Sequence, residues 1–181
     1  SIITTPIFIL PGNHDVPELM KYIMGSNGYG TGNIIKFDDW VIILLNTCVR
    51  GKNGGELSHA ELSFLQRSLE VYEGTNTLIA LHHPPVLINS SWMDAMSLTN
   101  AKYFLSLIDN HKQVRGIIWG HIHQEFEDST THTKLLGTPS TCLQFKPGST
   151  EFIIDDKPPA YRKLILGNDG VISSNVIYIS G

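Results

Sequence analysis

Three short polar motifs, each directly after a run of apolar residues, constrain the fold of this chain more than any other feature. The motifs are Gly12-Asn13-His14-Asp15, Leu81-His82-His83-Pro84-Pro85 and Gly120-His121-Ile122-His123. The apolar runs cover residues 7–10, 78–81 and 114–119. Short apolar runs that end at Gly or Pro predict buried strands. If the three strands are parallel, the loops after them meet at one edge of a sheet, where α/β proteins place ligand sites.

The polar side chains of these loops would be good metal ligands. Asn13 offers an amide oxygen, whereas His82, His121 and His123 offer imidazole nitrogens, a set that suits Zn²⁺, Mn²⁺ or Fe²⁺. A His-x-His spacing on an extended chain directs both rings to the same side. A helix cap at Asp15 and a strand stop at Pro84 would explain single motifs, but they do not explain all three together. The sequence therefore predicts a metal site.

Length and composition limit the class of protein. The chain has 181 residues, which suit one domain, and its 41% apolar and 17% charged content is that of a globular protein. A net charge of −4 argues against nucleic-acid binding, which needs a basic face. No apolar run approaches the roughly 20 residues of a membrane span. Without a signal-peptide pattern or a disulfide-rich cysteine pattern, a cytoplasmic location is expected.

The first two-thirds of the chain alternates strands with helices, and the last third contains strands only. Helices are predicted after Asp15, after the capping box of Ser58 and Glu61, and after Asn100. Further strands are predicted at 40–47, 134–136, 140–145, 152–155, 161–166 and 171–179. The last two are joined by the turn sequence Gly-Asn-Asp-Gly at 167–170, which favours a β-hairpin.

The three motifs, in this order, resemble the last three motifs of the calcineurin-like metallophosphoesterases. Longer strings at 55–58, 91–94, 120–125 and 138–147 resemble the bacterial 3′,5′-cyclic AMP phosphodiesterases of the Icc/CpdA type. The resemblance covers nearly the whole chain. It implies one domain over residues 1–181 with an α+β or α/β fold, namely the αββα sandwich of that family.

The resemblance also implies a site with two divalent metal ions that are bridged by an aspartate and a water or hydroxide. Iron or manganese is expected, with zinc and magnesium as alternatives. Asn13, His82 and His121 resemble the ligands of one ion, and His123 resembles a ligand of the other. His14 resembles the histidine that contacts the phosphate or protonates the leaving oxygen, with Asp15 orienting it. Two such ions polarise the phosphoryl oxygens and activate the bridging water for in-line attack.

The sequence departs from the family pattern before Gly12. The first two family motifs, an Asp-x-His and a Gly-Asp, normally precede this point, and residues 1–11 contain neither. Four neutral ligands cannot compensate the charge of two dications without a bridging carboxylate. We therefore expect the chain to be the C-terminal two-thirds of an N-terminally truncated metallophosphoesterase domain, inactive as a fragment.

The function expected for the parent enzyme is metal-dependent hydrolysis of 3′,5′-cyclic AMP to 5′-AMP. One alternative is another substrate, such as a glycerophosphodiester or a lipid pyrophosphate. A second is a non-catalytic scaffold with the same fold, although a scaffold has no use for five metal-site residues. The stretch 144–147 could contact a nucleotide or could be ordinary packing. We expect neither nucleic acid nor membrane as a partner, whereas uncovered sheet surface would favour a homo-oligomer.

Overall fold

A six-stranded mixed sheet forms the centre of the computed structural model, which describes residues 4–30 and 32–179. Its strands are β1 (Ile34–Phe37), β2 (Trp40–Leu44), β3 (Asn76–Leu81), β4 (Val114–Trp119), β5 (Phe126–Ser129) and β6 (Lys134–Gly137). The order across the sheet is β1-β2-β3-β4-β6-β5. The four central strands are parallel, and both edge strands are antiparallel to their neighbours. The ends of β3 and β4 therefore lie side by side at one edge of the sheet.

Four helices are present in the described part of the chain, of which the last three contribute buried side chains to a core on one face of this sheet and the first buries none. They are α1 (Pro17–Ser26), α2 (His59–Val71), α3 (Ser91–Asp94) and α4 (Ala101–Asp109). The apolar stripes of α2 and α4 bury Leu65, Leu69, Phe104 and Ile108 against sheet residues in one core. Complete burial of such a side chain contributes about 1.5–3 kcal/mol. The predicted capping box begins α2, since the Ser58 hydroxyl accepts a hydrogen bond from the Glu61 amide.

The later part of the chain forms two small antiparallel sheets. One pairs β7 (Gln144–Phe145) with β8 (Ile154–Asp155), and the other pairs β9 (Ala160–Leu166) with β10 (Ile172–Tyr178). The β9–β10 hairpin turns at 167–170, as predicted, with Gly170 at a φ of 82°. Trp40, Leu78, Leu136 and Ile172 form a second core between this hairpin and the large sheet. The sheet is thus covered by helices on one face and by strands on the other.

Two sequence predictions about the first motif are wrong. Residues 7–10 form no strand of the sheet, because β1 already pairs with β2, and Phe8 makes only one bridge, to Gly30. Phe8 is accordingly 42% exposed. The Asp15 side chain does not cap a helix, since α1 begins at Pro17 and its N-cap is Val16 without a side-chain bond. The Asp15 carboxylate bonds to the Gly12 amide instead.

Other differences concern short or polar segments. β7 covers only two residues of the predicted strand 140–145, and β2 ends at Leu44 rather than at residue 47. The edge strands β1 and β5 were not predicted, because edge strands are half-exposed and lack a continuous apolar pattern. Across residues 4–30 and 32–179, no helix has the length and apolar character needed to cross a membrane.

Candidate metal centre

Three of the predicted ligands meet at the edge where β3 and β4 end. Asn13 Oδ1 lies 3.0 Å from His82 Nε2 and 3.3 Å from His121 Nδ1, and the two ring nitrogens are 3.2 Å apart. His82 directly follows β3, and His121 follows β4 after Gly120. Asn13 comes from the turn after residues 7–10. The parallel pairing of β3 with β4 therefore brings the two histidines together.

The turn that carries Asn13 is fixed by hydrogen bonds to Gly12. The Gly12 amide donates to the Asp15 carboxylate at 2.8 Å, and the Gly12 carbonyl accepts from the Cys48 thiol at 2.8 Å. Burial, with a smaller contribution from the Asp15 charge, raises the pKa of Cys48 to about 11, so the thiol keeps its proton and can donate. Asp15 thus acts on the backbone of the turn and not directly on His14, whose side chain is exposed.

His83 lies against both site histidines but is not free to bind a metal ion. Its Nε2 donates to the Asn53 carbonyl at 3.1 Å, so its Nδ1 is the acceptor for the Thr47 hydroxyl at 2.7 Å. Nitrogen atoms of His82, His83 and His121 come within 4.8 Å of one another, a group compact enough for an ion. Because both nitrogens of His83 are already paired, Asn13 is better placed than His83 to complete a ligand set with His82 and His121.

His82 and His121 are neutral at pH 7. Burial, with additional repulsion from neighbouring histidines, lowers the pKa of His82 and of His121 to about 3. Neutral imidazole is the form that binds metal ions. Asn13 Oδ1 can only accept, and it lies 3.0 Å from His82 Nε2 and 3.3 Å from His121 Nδ1. An amide oxygen facing two imidazole nitrogens in a buried site fits a cation between them.

His123 is placed beside this group. Its Nδ1 donates to the Leu143 carbonyl at 3.1 Å, which leaves Nε2 as a lone-pair donor. Among the described residues, His123 makes no hydrogen bond to Asn13, His82 or His121. Charge on His123 or His14 nevertheless lowers the pKa of both His82 and His121. Four imidazoles are therefore within electrostatic range of one another.

The sequence suggested an extended backbone at the His-x-His motif, but the backbone of the structure is not extended there. His121 has a φ of 65° and His123 a φ of 47°, both in the left-handed region that is unfavourable for residues with a side chain. Such strain costs of order 1–3 kcal/mol per residue and collects at functional sites. Both histidines are held in place by β4 before them and by contacts of their rings, so the local backbone is set by the tertiary structure.

Sequence reasoning missed the residues that hold the ligands. His83 was explained only as the end of a strand, and Thr47 and Cys48 carried no signal because their partners are 36 residues distant. The sequence cue available was Gly55, since a Cβ at this position would overlap the His83 ring. Among the residues that the structure describes, no carboxylate joins the compact histidine group.

The lowered pKa values predict a loss of stability in acid for the metal-free chain. The unfolded chain takes up protons at His82 and His121 near pH 6.5, whereas the folded chain does so only near pH 3. Stability is therefore complete above pH 6.5 and falls as the pH decreases towards 3, by about 1.4 kcal/mol per pH unit for each ring. Urea unfolding in EDTA between pH 7.5 and 4.5 measures this slope. A flat profile would contradict the burial of neutral rings.

Gly12 is the glycine on which the ligand geometry depends. A Cβ at Gly12 would lie 2.8 Å from His82 Cε1, whereas a Cβ at Gly120 would be 3.5 Å from His82 Nδ1, an ordinary contact. We expect Gly12→Ala to move the His82 ring and to weaken Mn²⁺ binding about tenfold, which is about 1.4 kcal/mol. Gly32→Ala is the control, since nothing lies within 4 Å of its Cβ. Equal Mn²⁺ affinity in both variants, measured by chelator competition, would refute the expectation.

Comparison with known proteins places this chain in a family. The family model "Calcineurin-like phosphoesterase" matches residues 1–125. The chain therefore belongs to the calcineurin-like phosphoesterases, as its three motifs predicted. A dimetal phosphatase from Danio rerio has the same fold, with a TM-score of 0.58, 15% identity, and coverage of 93% of this chain and 71% of that one.

Several relatives carry names of cyclic nucleotide enzymes. The chain is 37% identical to the 3′,5′-cyclic adenosine monophosphate phosphodiesterase CpdA of Vibrio vulnificus, over 93% of this chain and 62% of the relative. It is 38% identical to a 3′,5′-cyclic-nucleotide phosphodiesterase of Nostoc, over 92% and 63% of the two chains. For the CpdA of Escherichia coli K12 the identity is 37%, over 94% and 62%. The chain thus spans less than two-thirds of the length of these relatives.

Proposed function

We propose that this chain carries the metal-binding part of a phosphodiesterase that hydrolyses 3′,5′-cyclic AMP to 5′-AMP. The observation that carries the proposal is the approach of Asn13 Oδ1, His82 Nε2 and His121 Nδ1 to within 3.0–3.3 Å in a family of phosphoesterases. The names of the relatives from Vibrio vulnificus and Nostoc support a cyclic nucleotide as the substrate.

The residues divide into two groups of ligands. Asn13, His82 and His121 would hold one divalent ion, and Nε2 of His123 would contribute to the second. We propose iron or manganese, with zinc or magnesium as alternatives that the same nitrogen and oxygen donors accept. When bound, the ions supply charge stabilisation of the phosphoryl oxygens and lower the pKa of the attacking water.

His14 has a separate role in this proposal. Its side chain is exposed beside the ligands, so it can reach a bound phosphate without being needed as a ligand. Hydrolysis to 5′-AMP forms a bond from water oxygen to phosphorus and breaks the bond from phosphorus to O3′. His14 donates the proton that O3′ takes as it leaves. Asp15 places His14 by holding the turn through the Gly12 amide.

The wider setting of the chain is also a proposal. We treat residues 1–181 as one domain, the C-terminal two-thirds of a metallophosphoesterase domain. The free thiols of Cys48 and Cys142 suit a reducing compartment, which supports a cytoplasmic location. Exposed apolar side chains on and near α1, including Val16, Leu19 and Ile23, support self-association into a homo-oligomer.

A substrate panel tests the proposed function. The full-length gene product, loaded with Mn²⁺ or Fe²⁺, is assayed with 3′,5′-cyclic AMP, a glycerophosphodiester and a lipid pyrophosphate. We expect the highest kcat/KM with cyclic AMP and 5′-AMP as the product. A higher kcat/KM with either of the other two substrates would support the metal-dependent hydrolysis but contradict cyclic AMP as the substrate. No hydrolysis of any of them with the metals bound would favour a non-catalytic scaffold.

A further inference from the structure

An aromatic cluster extends from His123 to the open surface. Phe145 stacks on the His123 ring, with centroids 4.3 Å apart and planes at 4°. Phe152 lies edge-on to Phe145 at 5.3 Å and to Trp92 at 5.5 Å. Phe145 and Trp92 are half-buried, but Phe152 is 58% exposed. Phe152 is therefore the outer member of a cluster that begins at a candidate metal ligand.

The neighbouring stretch 144–147 offers less to a ligand. The buried Gln144 side chain is fully used, because its Nε2 donates to the carbonyls of Ser140 and Pro158 and its Oε1 accepts from the Ser140 amide. One face of Phe145 is covered by His123. The aromatic surface open to a ligand at this place is thus supplied by Phe152, which lies on a different segment.

The segment that carries Phe152 is anchored on both sides. Before it, the buried Ser90 hydroxyl donates to the Ser149 carbonyl at 2.9 Å. After it, the Lys146 amide donates to the Ile153 carbonyl at 2.9 Å. A ring that is held in place before a ligand arrives loses little conformational entropy when the ligand binds. Phe152 packs edge-on against both Phe145 and Trp92 while 58% of it stays exposed, so the ring is held in place and still open to a ligand.

We propose that Phe152 is the surface on which the nucleobase of the substrate stacks, with Phe145 and Trp92 supporting it from behind. This inference rests on the proposed function, since it assumes that the phosphate lies at the histidine cluster. The Phe152 ring cannot lie farther from the His123 ring than the two centroid separations of 4.3 and 5.3 Å placed end to end. A cyclic nucleotide spans a distance of this order between its phosphate and its base. Stacking on a single aromatic ring is tolerant of base identity. Phe152 therefore favours a substrate with a base without strongly selecting one purine over another.

Kinetics with and without a base test this role. The full-length gene product and its Phe152→Ala variant are assayed with 3′,5′-cyclic AMP and with ribose 3′,5′-cyclic phosphate, which lacks the base. Loss of one stacking contact should raise the KM for cyclic AMP about tenfold at unchanged kcat. The KM for the abasic compound should not change. Phe152→Trp should keep the KM for cyclic AMP near that of the unmodified protein. Tyr103→Ala is the matched control, since Tyr103 is an aromatic residue on α4 that is 60% exposed, and its KM should not change.

A binding measurement removes the dependence on turnover. The dissociation constant of 5′-AMP, which is the product and is not turned over, is measured by calorimetry on the same metal-loaded proteins, and we expect Phe152→Ala to raise it about tenfold. Unchanged KM and dissociation constant in Phe152→Ala would overturn the proposal, as would an equal change for the abasic compound. Phe152-dependent binding of 5′-AMP in a protein that does not hydrolyse cyclic AMP would refute the proposed function and keep the stacking role. Normal hydrolysis that does not change in Phe152→Ala would refute the stacking role and keep the proposed function.

Discussion

We expect His121→Ala in the full-length gene product to abolish hydrolysis of cyclic AMP and to deplete the bound metal, whereas His14→Ala should reduce the rate but retain the metal. His121 Nδ1 faces Asn13 Oδ1 and His82 Nε2 in a buried site, so its removal takes away one of three converging donors. His14 is exposed and is not needed as a ligand. The loss of a general acid costs roughly 10²–10⁴-fold in rate. Metal content by mass spectrometry and kcat on the same samples measure the two effects.

The control is His59→Ala, because His59 is exposed at the start of α2. This variant should keep both the rate and the metal content of the unmodified protein. Equal metal depletion in His14→Ala and His121→Ala would show that the two histidines do not have separate roles. Full activity in His121→Ala would remove this residue from the proposed ligand set.

The second large effect concerns the 181-residue chain by itself. We expect it to bind at most one divalent ion, weakly, and to show no detectable hydrolysis of cyclic AMP. Asn13, His82 and His121 can serve one ion, but the second would have only Nε2 of His123, and in the described part of the chain no carboxylate joins the group. Uncharged donors leave the two positive charges of each ion uncompensated in a buried site.

Equilibrium dialysis with Mn²⁺, followed by metal analysis and an assay on the same sample, gives the stoichiometry and the rate together. The full-length gene product, treated in the same way, provides the reference value. Two tightly held ions per chain with normal turnover would mean that other residues of this chain build the second half of the site.

The contrast between predicted and observed structure follows from the range of each interaction. The buried parallel strands β3 and β4 and the β9–β10 hairpin are specified locally, by continuous apolar runs and by the turn at 167–170. The segment 7–10 has the same apolar pattern, yet it is not a sheet strand. Its sequence cannot show that β1 already occupies the edge of β2. Strand pairing depends on interactions between segments, so the sequence of one segment alone does not predict it.

The candidate site shows the same division. The proposed ligands could be selected from the sequence because each lies in a recognisable motif after an apolar run, and the parallel pairing of β3 with β4 brings His82 and His121 together. The groups that hold them, such as Thr47 on His83 and Cys48 on Gly12, act across 36 residues and leave no local pattern. The left-handed backbone at His121 and His123 was also unpredictable, because it is imposed by tertiary contacts against the local preference.

The most direct test of the metal centre is an NMR titration of the metal-free chain, labelled with ¹⁵N at its eight histidine rings. On addition of Co²⁺, we predict that the ring signals of His82 and His121 shift or broaden first. The signals of His59, His111 and His132 should not change, since none of them belongs to the compact histidine group. If His82 and His121 keep their signals while any of those three responds, the metal does not bind where Asn13, His82 and His121 meet, and the proposed centre is wrong.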